Sequence, residues 1–161
     1  MVGARVFHIA EAANWPSIRR DGLLSASALV ARAGSRPDDR AAIAGQRAAR
    51  VVLSDGSVIR DQAPMPPDAL RGCLVGMRPT QWYALLNGKV FFWCDADRVE
   101  RHLRACRRTP QIVLTIDAGA LLARHRDRAH VAPFNTGNAR RRPATRGRAT
   151  FVPWSTWMES R

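Results

Sequence analysis

Apolar and polar positions alternate in short runs along the chain, and the runs predict small strands separated by short helices. RVFHIA, Arg5 to Ala10, reads as a strand with Val6, His8 and Ala10 on one face and Arg5, Phe7 and Ile9 on the other. NWPSIRRD, Asn14 to Asp21, reads as a helix: Asn14 is suited to its cap, Pro16 to its first turn, and Gly22 to a left-handed stop. From Ser27 to Arg50 alanines and arginines dominate, in helical pieces broken around GSRPDD, and the pattern predicts a surface segment rather than core. VVLSDGSVI, Val51 to Ile59, sets Asp55-Gly56 between apolar triplets, a hairpin signal. The proline-rich QAPMPPDALRG that follows predicts a loop.

The second half is more regular. CLVGM predicts a strand, PTQWYALLNG a short helix opened by Pro79 and closed by Gly88, and VFFW, Val90 to Trp93, a compact buried strand. Asp95 is placed to cap a helix whose Val99, Leu103 and Cys106 share a face while its arginines point outward. QIVLTID, Gln111 to Asp117, is the clearest strand; AGALLARH predicts a brief helix, HVAPF another strand, and TFVP a last one. No internal repeat is visible and there is no strict βαβ rhythm, so the expected class is α+β with mostly antiparallel pairing. With 161 residues, 46% of them hydrophobic, a single domain over 1–161 with a proper core is expected.

Charge changes this picture. Lys and Arg number 26 against 13 Asp and Glu, a formal charge of +13, and Lys89 is the only lysine. Guanidinium groups give forked recognition of phosphates and stack on bases, so a polyanionic partner is favoured over a neutral one. The three cysteines, Cys73, Cys94 and Cys106, show no C-x-x-C spacing and lie in segments that read as buried, which suits a reducing cytoplasm. With no apolar leader and no bilayer-length apolar run, a cytoplasmic protein with no membrane partner is expected.

The familiar motifs of nucleotide-binding and hydrolase scaffolds are missing: no G-x-G-x-x-G after a strand, no Walker A, no H-E-x-x-H, no G-x-S-x-G. His102 and Cys106 are four apart on one helix, but no second pair joins them, so no metal is expected. The strongest local signal is the basic loop at 135–149, which carries Arg140, Arg141, Arg142, Arg146 and Arg148 with no acid among them. Such a density repels itself unless anions are present, and phosphate contact is the favoured reading over a solvated loop. Asn135, Thr136 and Asn138 suit either turns or a sugar. Trp82 and Trp93 fall in apolar patterns that suit a core, and Trp154 and Trp157 suit a clamp for the C-terminal segment or a stacking surface.

FHIAEAANWPSIRRDGLLS resembles the start of the DarT-type DNA ADP-ribosyltransferases, where a strand ending in an aromatic-His pair precedes a helix of the N-L-P-S-I-x-x-x-G-L-L kind. GQRAARVVLSDG is similar to that family's arginine-containing segment, GCLVGMRPTQWYALLNGKVFFW to its central strands and helix, and RGRATFVPW to the region of its last catalytic strand. The resemblance implies an ADP-ribosyltransferase fold, a split pair of small, mostly antiparallel sheets with short flanking helices, and NAD as substrate in the cleft. It implies that His8 holds the nicotinamide-side ribose, that Asn14 and Ser17 help form the NAD pocket, and that Arg47 or Arg50 contacts the NAD phosphates. His8, Arg47, Arg50 and the residue at the family's glutamate position are then its catalytic set. That position falls here on Thr150. A threonine hydroxyl cannot supply the charge that stabilises an opening glycosidic bond. The chain has three glutamates, Glu11, Glu100 and Glu159, and Asp117 sits at a strand end where it suits a helix cap or a substitute carboxylate.

Three functions follow as expectations. One is a glycosyltransferase-class enzyme that moves ADP-ribose from NAD to a nucleic acid, as a toxin or phage-defence effector with an antitoxin or hydrolase partner. Another is 2′-phosphotransferase-like NAD chemistry on RNA, which relies on Arg and His in place of glutamate. The third is a catalytically degenerate module that binds nucleic acid or NAD.

Overall fold

In the computed structural model, which describes residues 4–140 and 143–160, the chain begins with β1 (Arg5–Glu11), a 3-10 turn (Ala12–Asn14), α1 (Trp15–Asp21), α2 (Ala26–Arg32) and α3 (Pro37–Ala44). A hairpin of β2 (Val51–Val52) and β3 (Val58–Ile59) leads to α4 (Pro67–Arg71), α5 (Pro79–Asn87) and α6 (Ala96–Ala105). Then come β4 (Gln111–Asp117), α7 (Ala118–His125), a 3-10 turn (Arg126–Arg128), β5 (His130–Val131), a 3-10 turn (Arg148–Thr150), β6 (Val152–Pro153) and α8 (Trp154–Glu159). The class is α+β with small antiparallel sheets, β1 with β4, β2 with β3 and β5 with β6. The residues group into two compact units, one of Met1–Leu23 with Val90–Ala129 and one of Leu24–Lys89 with His130–Arg161.

The first unit is built on the β1–β4 ladder, in register from Arg5 opposite Asp117 to Glu11 opposite Gln111. Helix α6 packs its Val99 inward, and Asp95 caps it by accepting from the amides of Asp97 and Arg98. Asp117 caps α7 in the same way, accepting from Ala120 N–H at 2.7 Å. At the outer edge of β1 the VFFW segment, expected as a buried strand, makes one bridge only: Phe7 and Trp93 exchange two backbone hydrogen bonds of 2.8 Å. The ladder goes no further because the Phe91 carbonyl accepts from the His8 ring, and Phe91 itself is 40% exposed. Cys94, expected to be buried, is exposed just beyond that bridge.

In the second unit the core joins Met65, Leu70, Cys73, Trp82, Tyr83, Leu86, Ala139 and Phe151. Trp82 stacks on Phe151 with ring centroids 5.8 Å apart, and the ammonium of Lys89 lies 4.7 Å from the centroid of the Phe151 ring, where partial burial lowers its pKa. A second cluster of Val30, Leu53 and Ile59 overturns the reading of Ser27–Arg50 as surface. Alanines at 26 and 33 are small enough to let α2 approach the hairpin, and Leu29 and Ile43 complete the packing. Buried Asp39 of α3 accepts from both the amide and the hydroxyl of Ser54, which ties that helix to the same hairpin.

Three further strand expectations are corrected. CLVGM contributes one parallel bridge, Leu74 with Arg146, and Gly76 at φ +69 turns the chain away from it. TFVP and HVAPF are reduced to the two-residue pair of β5 and β6, and Thr150 lies in a 3-10 turn ahead of β6. The bridge depends on Gly147: a Cβ there meets the Val75 carbonyl oxygen at 2.7 Å, a backbone contact with no side chain to move aside. Gly147→Ala is expected to destabilise the protein by about 1–3 kcal/mol, read as a lowered urea midpoint with an unchanged slope.

Candidate functional site

β1 ends at Glu11, which is buried, and the backbone then tightens into the 3-10 turn that delivers α1. Asn14 occupies the residue before α1 with helical dihedrals and makes no side-chain cap, so the expected cap at this position is not formed. The Ser17 hydroxyl donates to the Asn14 carbonyl at 3.0 Å, and Gly22 at φ +76 stops the helix as its position in the sequence predicts. The turn is fixed to β4 by Ala12 N–H donating to the Pro110 carbonyl at 2.9 Å. His8, Glu11, Asn14 and Ser17 therefore lie within one ten-residue stretch of the first unit. On β1, His8 stands opposite Leu114, its Nδ1 is 2.8 Å from the Phe91 carbonyl, and its ring tilts against Phe92 with centroids 5.8 Å apart. A carbonyl only accepts, so Nδ1 carries a proton, and in the neutral ring Nε2 is the acceptor nitrogen.

The other candidate residues lie in the second unit. Arg47 is buried and spends its guanidinium on the fold: Nε donates to the Arg60 carbonyl at 3.0 Å, and Nη1 to the Ala42 carbonyl at 3.3 Å and to Asn87 Oδ1 at 2.9 Å. Desolvation lowers its pKa to about 10, partly offset by the charge of Asp61, so it stays cationic at neutral pH. Arg50 is exposed beside β2. Thr150 is buried, and its Oγ1 accepts from Gly147 N–H at 2.9 Å, which closes the 3-10 turn.

Within the basic loop the arginines divide by role. Arg146 is 3% exposed; its guanidinium donates to the carbonyls of Ala144, Thr136 and Asn138 and lies over the rings of Phe134 and Trp82 at 5.2 and 5.9 Å. Arg140 is exposed, with Nε on the Ala63 carbonyl at 3.1 Å, and Arg148 is exposed in its turn. Arg141 and Arg142 lie outside the described residues. Asn135 and Asn138 accept from the amides of Gly137 and Arg140, so the turn-forming alternative is the one observed for both. His102 and Cys106 approach to 3.7 Å, and no group of three metal-ligating side chains occurs among the described residues.

Sequence reasoning misses two participants. Asn87 joins Arg47, Gln62 and the Ile43 carbonyl, and its spacing from Trp82, Tyr83 and Leu86 puts it on the buried stripe of α5. Glu11 extends β1 by one residue and is buried, whereas Glu100 is exposed and paired with Arg104 at 2.7 Å, and Glu159 is exposed on α8.

Residues 4–161 match the model of a family described as a family of unknown function, DUF7002. The chain belongs to that family. No curated protein and no solved structure matches it. In the DUF7002 fold seen here, no helix among the described residues is long and apolar enough to cross a membrane.

The buried guanidinium of Arg47 is a structural group. Arg47→Ala leaves Asn87 Oδ1 with Gln62 Nε2 as its remaining donor and removes the donor to two carbonyls. It is expected to cost about 2–4 kcal/mol, read by chemical denaturation.

Proposed function

We propose that this protein opens the glycosidic bond between nicotinamide and ribose in NAD and transfers ADP-ribose to a nucleic acid. The observation that carries the reading is the polarity of His8. With Nδ1 donating to a backbone carbonyl, the neutral imidazole presents Nε2 as an acceptor, which is the polarity needed to hold a ribose hydroxyl. Asn14 and Ser17 follow it on the turn and first helix that the DarT-like motif assigns to the NAD pocket.

Carboxylate chemistry is assigned to Glu11. As the bond from the ribose C1′ to the nicotinamide nitrogen breaks, positive charge develops at C1′ and the bonding pair leaves with nicotinamide. A carboxylate stabilises that charge and takes the proton that the acceptor group loses. Thr150 has no such charge and is committed to its turn, and Glu11 stands at the end of the strand that carries His8, on the opposite face by strand phase, where the 3-10 turn begins to redirect the chain. Arg140 and Arg148, the exposed arginines of the basic loop, supply cations to the polynucleotide.

Incubation with NAD labelled in its adenylate half, in the presence of single-stranded DNA, duplex DNA, RNA or total cell protein, tests this. Label is expected on a nucleic acid, with nicotinamide released in equal amount. His8→Ala should abolish NAD binding, and Glu11→Gln should keep NAD binding while slowing nicotinamide release by about a hundredfold or more. Consumption of NAD with 2′-phosphorylated RNA alone, or full turnover in Glu11→Gln, would favour the phosphotransferase-like chemistry that works without a carboxylate. Unchanged NAD affinity in a folded His8→Ala variant would falsify the assignment of the pocket.

A further inference from the structure

In the first unit the hydrogen bonds of Phe7 fix which way each residue of the β1–β4 ladder faces. Phe7 exchanges its N–H and C=O with Trp93, so both groups point away from β4. Main-chain direction alternates along a strand. Val6, His8 and Ala10 are therefore the residues of β1 that bond to β4, where they meet Ile116, Leu114 and Ile112. The bonds from Ala118 N–H to the Ala4 carbonyl and from Ala12 N–H to the Pro110 carbonyl continue the same phase. Val113 and Thr115, which alternate with those residues, then point their N–H and C=O outward from the far edge of β4. No strand pairs on that side, and these groups have no hydrogen-bond partner among the described residues. Both residues are exposed, Val113 at 38%, so the edge is open to solvent.

A free edge is ordinarily blunted by a charge, a proline or a bulge. This one is not. In a chain that is 24% charged, no charged residue occurs from Thr109 to Ile116, no proline interrupts β4, and its register with β1 runs without a break. The opposite edge of the sheet is already taken, since Trp93 bridges to Phe7 and the His8 ring bonds to the Phe91 carbonyl. On the face that β4 shares with His8, Ile112, Leu114 and Ile116 are only half-buried. Charge is confined to the two ends of the strand and differs in sign between them. Asp117 closes β4, and exposed Arg107 and Arg108 stand before it, in the turn that ends α6.

We infer that β4 pairs antiparallel with β4 of a second copy of this chain, which joins two small sheets into one of order β1–β4–β4–β1. The strand is self-complementary about Leu114. With Leu114 opposite Leu114 of the second copy, Val113 and the copy's Thr115 exchange N–H and C=O, and by symmetry Thr115 and the copy's Val113 do the same. On the His8 face, Ile112 then meets Ile116 of the copy on either side of the central leucine pair, so half-buried apolar side chains meet their like across the joint. A shift of two residues spoils this, because it sets Ile116 beside Pro110 or Ile112 beside Ala118. Antiparallel pairing also brings the Asp117 end of each strand to the Arg107–Arg108 end of the other, whereas parallel pairing sets like charges together. Neither NAD nor nucleic acid enters the joint, which is independent of the proposed transfer.

The test is sedimentation of the full chain over a range of concentrations, in salt of about 0.15 M, where the repulsion of two basic copies is screened beyond about 8 Å. The mass is expected to rise from 17.8 kDa toward twice that value. Amide hydrogen exchange locates the joint: the Val113 and Thr115 amides should exchange more slowly as the concentration rises. Thr115→Pro removes an outward N–H and leaves the bonds that its neighbours make to β1, and Val113→Lys sets a charge on the edge. Each is expected to weaken the dimer about tenfold or more. Far-UV circular dichroism shows whether each variant is folded, and Val113→Lys carries the test should the proline variant not fold. A monomer at every concentration up to the millimolar range overturns the inference. So does an unchanged dimer in folded Val113→Lys, or a dimer whose Val113 and Thr115 amides exchange freely. Protection of those amides that appears only when an acidic extended peptide is added gives the edge to another partner and overturns self-pairing.

Discussion

Backbone carbonyls with no ladder or helix to receive them set the terms on which the second unit folds. Its strands are two residues long, so most of its chain is turn and loop, and a buried carbonyl without a donor is costly. Arginine is the donor that meets the need. The guanidinium of Arg47 gathers two carbonyls and the Asn87 amide, and that of Arg146 gathers three carbonyls while its flat face covers Trp82 and Phe134. Five N–H groups in a rigid fork, fixed in charge, are suited to this, and a lysine with one flexible ammonium is not. Part of a charge that looks directed at an outside polyanion therefore holds the fold together from within.

That division is not visible in the sequence, and the reason is physical. The basic loop contains arginines of the same type at close spacing, and nothing local distinguishes Arg146, turned under an aromatic pair, from Arg148, which faces outward two residues later. Longer elements are legible because their signals are local: the strand expected over Arg5–Ala10, which runs one residue further to Glu11, the strand Gln111–Asp117, the caps at Asp95 and Asp117, and the stop at Gly22. VFFW and CLVGM mislead because apolar content reports burial and says little about who receives the hydrogen bonds. In the first the His8 ring takes a carbonyl that a ladder would have used, and in the second Gly76 bends the chain after one bridge. Asn87 is hidden among apolar neighbours although its helical phase marks it as buried.

The first unit distributes its chemistry differently. Its polar candidates sit where a strand gives way to a turn, a place where side chains change direction within a few residues and where one backbone hydrogen bond fixes two segments. The His8 ring is oriented by a backbone carbonyl, which fixes a proton on Nδ1. Thr150 in the second unit is spent on backbone geometry: its hydroxyl closes a 3-10 turn that stands where the sequence pattern predicts a strand.

Lys89 has a consequence of another kind. With arginine at every other basic side chain, the protein offers a single side-chain amine to acylation, carbamylation or conjugation through an isopeptide bond. That amine is partly sheltered against Phe151, beside the stacked pair at the centre of the larger core. A cell that marks proteins for turnover or silencing through their lysines has one handle on this molecule, and pulling on it disturbs the packing of Phe151. The same arginine bias that supplies the internal donors thus leaves the protein's charge almost beyond the reach of lysine-directed control.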